Sequence, residues 1–371
     1  MAIKIIMLLI FFAVMIGVGI YCRRSATDVA GFVLGGRSVG PWLTAFAYGT
    51  SYFSAVIFIG YAGQFGWKYG VASTWIGIGN ALIGSLLAWV ILGRRTRLMT
   101  HALDSKTMPE FFGLRFNSPA LKIAASVIVF IFLIPYTASL YNGLSRLFVM
   151  AFNIDYTWCV IIMAVLTAVY VVVGGYMATA INDFIQGCIM LVGIVVVIAA
   201  VLKTNGGFTE AMNTLSQITA EAAPDMSGAF TSFLGPEPLY LLGVVILTSL
   251  GTWGLPQMVG KFYAIKNEDA ISKGTLISTF FALIVAGGCY FLGGFGRLYG
   301  DSIEYSASGT PIYDSIIPTM LEGLPEIIIA IVVILVLSAS MSTLSSLVLT
   351  SGSTLTLDII VPASKKKIDE K

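Results

Sequence analysis

Nine times along this 371-residue chain, a run of about 20 residues or more passes with almost no charge, enough to cross a ~30 Å hydrocarbon core. The runs fall near 3–21, 41–65, 71–93, 121–150, 157–177, 181–202, 238–260, 272–299 and 326–357. Such segments can satisfy their backbone in lipid only as helices, since open sheets and loops leave N–H and C=O groups stranded. Charged residues make up 11% of the chain against about a quarter in a soluble domain, and mean hydropathy is +0.90. The sequence therefore predicts an all-α polytopic membrane protein, one transmembrane domain over 1–371, with a cytoplasmic tail over 358–371.

Charge distribution sets the expected orientation. With the N-terminus outside, the cytoplasmic segments hold Arg23, Arg24, Arg37, Arg94, Arg95, Arg97, Lys106, Arg115, Lys122, Lys261, Lys266, Lys273 and the tail lysines. Only Lys4, Lys68, Arg146, Lys203 and Arg297 remain for the other side, so the positive-inside rule predicts N-out, C-in across the plasma membrane. The first run ends in CRR with no small-residue cleavage site and reads as a helix rather than a signal peptide. Four scattered cysteines and one histidine, His101, supply neither a disulfide framework nor a metal cluster, and no enzyme is expected. The expected partners are a small-molecule substrate and the bilayer; nothing points to nucleic acid.

Two runs contain helix-weakening clusters. AFAYGTSYFSAV (45–56) places Gly49, Thr50 and Ser51 at mid-depth, and LTSLGTWGLPQ (247–257) gathers Gly251, Gly254 and Pro256. Glycine weakens a helix by about 1 kcal/mol and proline by about 3 kcal/mol. Setting the first run aside, the two segments are core spans 1 and 6, matching positions in two halves of five. That arrangement is the sequence sign of an inverted-repeat transporter with its site near mid-membrane. Glycine in membrane helices also serves close packing alone.

LSASMSTLSSLVLTSGSTLTLD (337–358) sets a ladder of hydroxyls in an apolar run. Ala339, Ser342, Thr343 and Ser346 follow the i, i+3, i+4, i+7 rule and share one face. Such a stripe suits tight packing, each hydroxyl bonded back to a carbonyl one turn earlier. It also suits a hard cation, which wants several oxygens, and neutral oxygens suit a monovalent ion that must bind and then leave. Asp183 is the other residue that stands out, an acid opening the sixth run. It suits a helix N-terminus through the dipole, and an acid facing a water-filled cavity also marks an ion path.

The runs FVLGGRSVGPW, TSYFSAV, MPEFFGLRF, VVVGGYMATAINDFIQG, GLPQMVGKFYAIKNE and SASMSTLSS resemble, in order, those of the sodium/solute symporter family. The resemblance implies an amino-acid-transporter-type fold: five-plus-five inverted repeats behind one extra N-terminal helix. It also implies that the last core helices are lacking, because the chain stops at VPASKKKIDEK after core helix 8. It implies co-transported Na+ bound by the carbonyls of Thr50, Phe53 and Ala339 and the hydroxyls of Ser342 and Thr343. Asp183 would mark the ion's exit to the cytoplasm.

Between core helices 1, 3 and 6, the resemblance places a substrate near Ser54, Tyr136, Asn142, Thr248, Thr252 and Trp253. Tyr52 stands where the family's proline transporters carry an acid, and Thr248 and Thr252 where they carry an aromatic pair, which weakens proline as the solute. The expected function is sodium-coupled symport of an amino acid such as proline, or a related organic acid, by alternating access. The alternatives are a transporter-like sensor module, a non-functional symporter fragment and a polytopic enzyme.

Overall fold

The computed structural model describes residues 2–364, and among these it is helical with no extended strand. Helix α1 (Ala2–Cys22) leads through a short turn to α2 (Val29–Leu34), capped by Asp28, whose carboxylate accepts from Gly31 N at 3.0 Å. Next come α3 (Pro41–Tyr52), then wide π-type turns at Val56–Tyr61 and α4 (Ala62–Tyr69). Helix α5 (Thr74–Gly79) runs on through more wide turns into α6 (Arg94–Ala102), followed by α7 (Met108–Arg115) and α8 (Pro119–Phe152). Then follow α9 (Tyr156–Thr204), α10 (Phe208–Ser216), α11 (Pro238–Leu250), α12 (Pro256–Ala264) and α13 (Glu268–Gly293). The chain continues with α14 (Tyr313–Glu322), α15 (Glu326–Ser353), a wide-turn stretch Thr354–Ile360 and α16 (Val361–Ala363).

Burial separates this set into centre and rim. Helix α15 is buried along most of its length, Val332 to Leu347 without interruption, among α1, α3, α8 and α9. Helix α13 lies against α3, α4 and α5, close enough that a Cβ on Gly66 would collide with the backbone of Gly293. By contrast α1, α8 and α11 turn apolar side chains outward: Leu9, Phe132 and Leu239 are 63%, 68% and 82% exposed. Exposed apolar surface on long apolar helices is what a bilayer covers.

The basic loops gather at one end of the bundle. Arg94 Nε donates to Glu268 at 2.6 Å, Arg97 donates to the carbonyls of Ile265 and Lys266, and Arg37 donates to Asp104 at 3.2 Å. Asp358 is buried there, accepting from Thr107 Oγ1 at 2.6 Å and pairing with Lys122 at 3.1 Å. The stretch from Asp358, expected as tail, thus begins inside a helical run pinned to α7 and α8; residues 365–371 lie outside the described residues.

The expected spans 157–177 and 181–202 fall on one helical run, α9. Unbroken, its 49 residues would reach about 74 Å, more than twice the hydrocarbon thickness. Gly175 breaks it with φ 55° and ψ −151°, a backbone region open essentially to glycine alone. A side chain there would also meet the Phe32 carbonyl of α2. Gly175→Ala should lower stability by about 1–3 kcal/mol, read as a lower melting temperature of the detergent-purified protein. An unchanged melting temperature would show that the break tolerates a side chain.

Candidate functional site

Both weakened segments are broken. Helix α3 starts on Pro41, whose missing N–H costs nothing at a first turn, and ends where Phe53 leaves helical geometry at φ −101°, ψ 91°. Helical hydrogen bonding resumes from the Ser54 carbonyl, which accepts from Ile57 N and Phe58 N. In the second segment, Gly251 to Leu255 form turns between α11 and α12, and Pro256 opens the new helix. The last carbonyls of a helix have no partner inside it, so the α3 break turns backbone oxygens toward its neighbours.

Helix α15 meets them. The Thr50 carbonyl accepts from Ser342 Oγ at 3.2 Å and from Thr343 Oγ1 at 3.3 Å. The same two hydroxyls lie 3.2 and 3.1 Å from the Ala339 carbonyl, and Ser342 Oγ lies 2.8 Å from that of Ser338. Two hydroxyls own two hydrogens and cannot serve all these acceptors at once. Oxygen lone pairs are therefore in surplus at this spot, and a cation is the ligand that satisfies such a surplus. Separations of 3.1–3.3 Å exceed the 2.7–2.8 Å typical of O–H···O bonds. They are near the spacing of oxygens held at about 2.4 Å from a common hard cation. Thr50, Ala339, Ser342 and Thr343 are all fully or almost fully buried. Phe53 ends α3 beside them and lines a narrow cavity of about 10 Å³ together with Ser54 and Ala339.

Next to the break lies a cavity of about 540 Å³. Ser54, Tyr136, Thr248 and Thr252 line it together with Tyr52, Tyr61, Gln64, Asn80, Ser139, Tyr290 and Asp314. Its volume suits a small organic ligand. Tyr52 donates to the Thr248 carbonyl at 2.9 Å, tying the two broken segments together. Asn80 Oδ1 accepts from Thr248 Oγ1 at 3.0 Å and Ser249 Oγ at 3.1 Å. Asp314 is the one charged residue in the lining among the described residues. Trp253 stands apart: its indole N–H donates to the Ile83 carbonyl at 3.0 Å, and its ring packs on the core. Asn142 lies on α8, but its side chain is outside the described residues.

Asp183 sits on the long second half of α9, fully buried. Its Oδ2 faces Lys261 Nζ at 3.5 Å. Lys261, expected in a cytoplasmic loop, is instead 1% exposed on α12, where its ammonium also donates to Ser346 Oγ at 2.9 Å. The hydropathy boundary misplaced it, because the seventh run was closed at residue 260, one position short. Asn80 and Asp314 were missed as well. They come from segments read as plain span and plain connection, and only the three-dimensional packing brings them to the cavity.

Three comparisons bear on this geometry. The family model for the sodium:solute symporter family matches residues 32–371. Sodium/proline symporter 2 of Staphylococcus saprophyticus is 31% identical over 99% of this chain and 70% of its own length. The sodium/proline symporter of Staphylococcus aureus strain JH9 is 30% identical over 95% of this chain and 67% of its own. The structure titled a substrate-bound outward-open state of a Na+-coupled sialic acid symporter superposes with a TM-score of 0.79. It covers 99% of this chain and 75% of that one at 18% identity, a likeness of fold. A match over nine-tenths of the chain, on top of a broken helix facing buried hydroxyls, places the protein among transporters rather than enzymes: the chain belongs to the sodium:solute symporter family and couples solute movement to sodium.

Proposed function

We propose that the protein imports a small zwitterionic solute of the amino-acid class, with one sodium ion bound by Thr50, Phe53, Ala339, Ser342 and Thr343. The carrying observation is the surplus of buried oxygens where α15 meets the end of α3. A monovalent ion there joins the two helices more firmly than two shared hydrogens do. Ser54 directly follows the break, so the ion and the solute cavity share one piece of backbone. An ion that orders the α3 end therefore orders one wall of the cavity, and coupling requires such a difference in affinity between states.

The solute class follows from the lining. A buried carboxylate without a counter-charge is costly, and the described lining offers no Lys or Arg to a purely anionic solute. Backbone N–H groups freed at the α3 and α11–α12 breaks suit a carboxylate, and Asp314 suits an ammonium on the same molecule. Relatives named sodium/proline symporters support an amino acid. Tyr52, Thr248 and Thr252 give this cavity its own shape, so the solute need not be proline.

In the cell, the basic end that holds Arg94, Arg97 and Lys122 faces the cytoplasm, as positive loops do. Inward movement of each sodium charge then gains about 2.3 kcal/mol per 100 mV of membrane potential. Asp183, between the oxygen cluster and that end, is the ion's stopping point on the way out.

Ser342→Ala combined with Thr343→Ala should raise the sodium concentration for half-maximal uptake by about tenfold or more, equivalent to about 1.4 kcal/mol. An unchanged sodium midpoint in proteoliposomes would exclude the site. Tyr136→Phe should raise the solute KM about 3–10-fold, the worth of one hydrogen bond, while leaving the sodium midpoint in place; a shifted sodium midpoint with an unchanged KM would remove Tyr136 from the solute site. For orientation, Arg115→Cys in a Cys188→Ala background should resist an impermeant maleimide in intact cells and react after permeabilisation, whereas Gln217→Cys should react in both. The reverse pattern would invert the topology.

A further inference from the structure

A second, smaller cavity of about 50 Å³ lies at the basic end of the bundle and shares no lining residue with the solute cavity. Helix α12 gives it Gln257, Lys261 and Tyr263, α9 gives Tyr176 directly after the Gly175 break, and Lys106 comes from the turn before α7. Two lysines and no Asp or Glu line it among the described residues. Its walls carry hydrogens without takers. Gln257, Tyr176 and Tyr263 are each more than nine-tenths buried, yet Gln257 Nε2, Tyr176 Oη and Tyr263 Oη have no hydrogen-bond partner among the described residues. Lys261 Nζ owns three hydrogens. It reaches Ser346 Oγ at 2.9 Å and Asp183 Oδ2 at 3.5 Å, and no third oxygen. Gln257 Oε1 is the one acceptor-only atom left over in this lining.

The acids of this region are turned elsewhere. Asp358 accepts from Thr107 and pairs with Lys122 at 3.1 Å, Glu110 accepts from the Lys106 backbone N–H at 2.6 Å, and Asp183 faces Lys261 from behind the wall. Buried polar groups nearly always find partners. Donors that converge from α9 and α12, with ammonium groups beside them, suit one ligand that has several lone pairs and a negative charge. Size narrows the choice. A water takes about 10–15 Å³ of such a cavity, so there is room for one small ion or a carboxylate group, and far too little for a whole organic solute.

We propose that this cavity is an anion site for one monovalent group, a chloride-sized ion or a carboxylate, held by Gln257, Tyr263, Tyr176 and Lys261. The bound anion fastens α12 to α9 and to the segment before α7. Helix α12 is short and joins α11 only through the turns at Gly251–Leu255, so such a fastening governs where it rests. The anion favours the arrangement in which these donors converge and leaves when α12 parts from α9, a difference in affinity between two states. The group arrives either as a free inorganic ion from the cytoplasm or as the carboxylate of a departing solute; only the second source rests on the amino-acid reading of the solute.

The test follows the melting temperature of the purified protein in nanodiscs, without solute and at constant sodium, as chloride or acetate replaces gluconate, an anion too large for the cavity. A ligand that binds the folded state raises the melting temperature along a saturating curve. Such a rise with chloride as well as acetate identifies a free inorganic ion; a rise with acetate alone identifies the solute carboxylate. Gln257→Met and Tyr263→Phe should each raise the anion concentration at half the rise by about 3–10-fold, the worth of one donor. If one of these variants does not fold, the other decides. No saturable rise with either anion in the unaltered protein overturns the proposal, and so does a midpoint that the variants leave unmoved. Because sodium is constant and solute absent, that failure leaves the sodium and solute readings standing, and an unchanged sodium midpoint in the Ser342→Ala, Thr343→Ala variant leaves the anion site standing.

Discussion

The contact between the Thr50 carbonyl and the Ser342 and Thr343 hydroxyls is the point on which the rest of the structure depends. Lipid offers nothing to a stranded carbonyl, so a helix can break at mid-depth only where another element covers the exposed backbone. Helix α15 covers this break with hydroxyls instead of methyl groups. That choice makes the break tolerable without filling it, since weak, shared hydrogen bonds are readily exchanged for an ion. A leucine at residue 342 or 343 would bring dispersion and no oxygen, and the α3 end would have to rewind or carry an unsatisfied carbonyl, at about 1–3 kcal/mol.

The other serines on α15 show the difference between packing and site. Ser338 and Ser340 donate to the carbonyls of Ile334 and Val336 at 2.7 and 2.8 Å. Each there has one hydrogen and one close acceptor, and its demand is met within its own helix. At 342, 343 and 346 hydroxyls face oxygens of α3, and at 342 and 343 the carbonyl acceptors outnumber the two hydrogens. Packing hydroxyls and the proposed ion ligands therefore share one helix, separated by what lies opposite each face.

That division also marks how far the sequence could be read. The stripe through Ala339, Ser342, Thr343 and Ser346 follows from helical spacing, and the breaks near residues 53 and 251 follow from glycine and proline placement. Spacing does not say that the stripe faces α3, because that depends on how separate helices dock. Hydropathy likewise treats a lysine as the end of a span, whereas Lys261 lies inside, neutralised by a carboxylate 78 residues earlier in the chain. Trp253 shows a related dependence on packing. An aromatic beside a helix break suits a solute, yet its N–H found the Ile83 carbonyl first. Gly175 breaks α9 inside the expected span 157–177, and the positive φ that does this leaves no periodic trace.

Tyr52 shows how these constraints meet in a single side chain. It lies three residues from the Gly49 of the same weakened segment, directly before the break, with its ring against Phe53 at 4.5 Å between centroids. Its hydroxyl reaches the Thr248 carbonyl at the end of α11, so it bridges the two broken helices across the wall of the solute cavity. An acid in its place would put a charge into this wall and would have to find a cation there. A tyrosine holds the same span with a neutral hydrogen bond, leaving the cavity's own charge to Asp314. Neutrality at residue 52 thus keeps the proposed sodium site beside it a set of uncharged oxygens alone, which suits an ion that must be released.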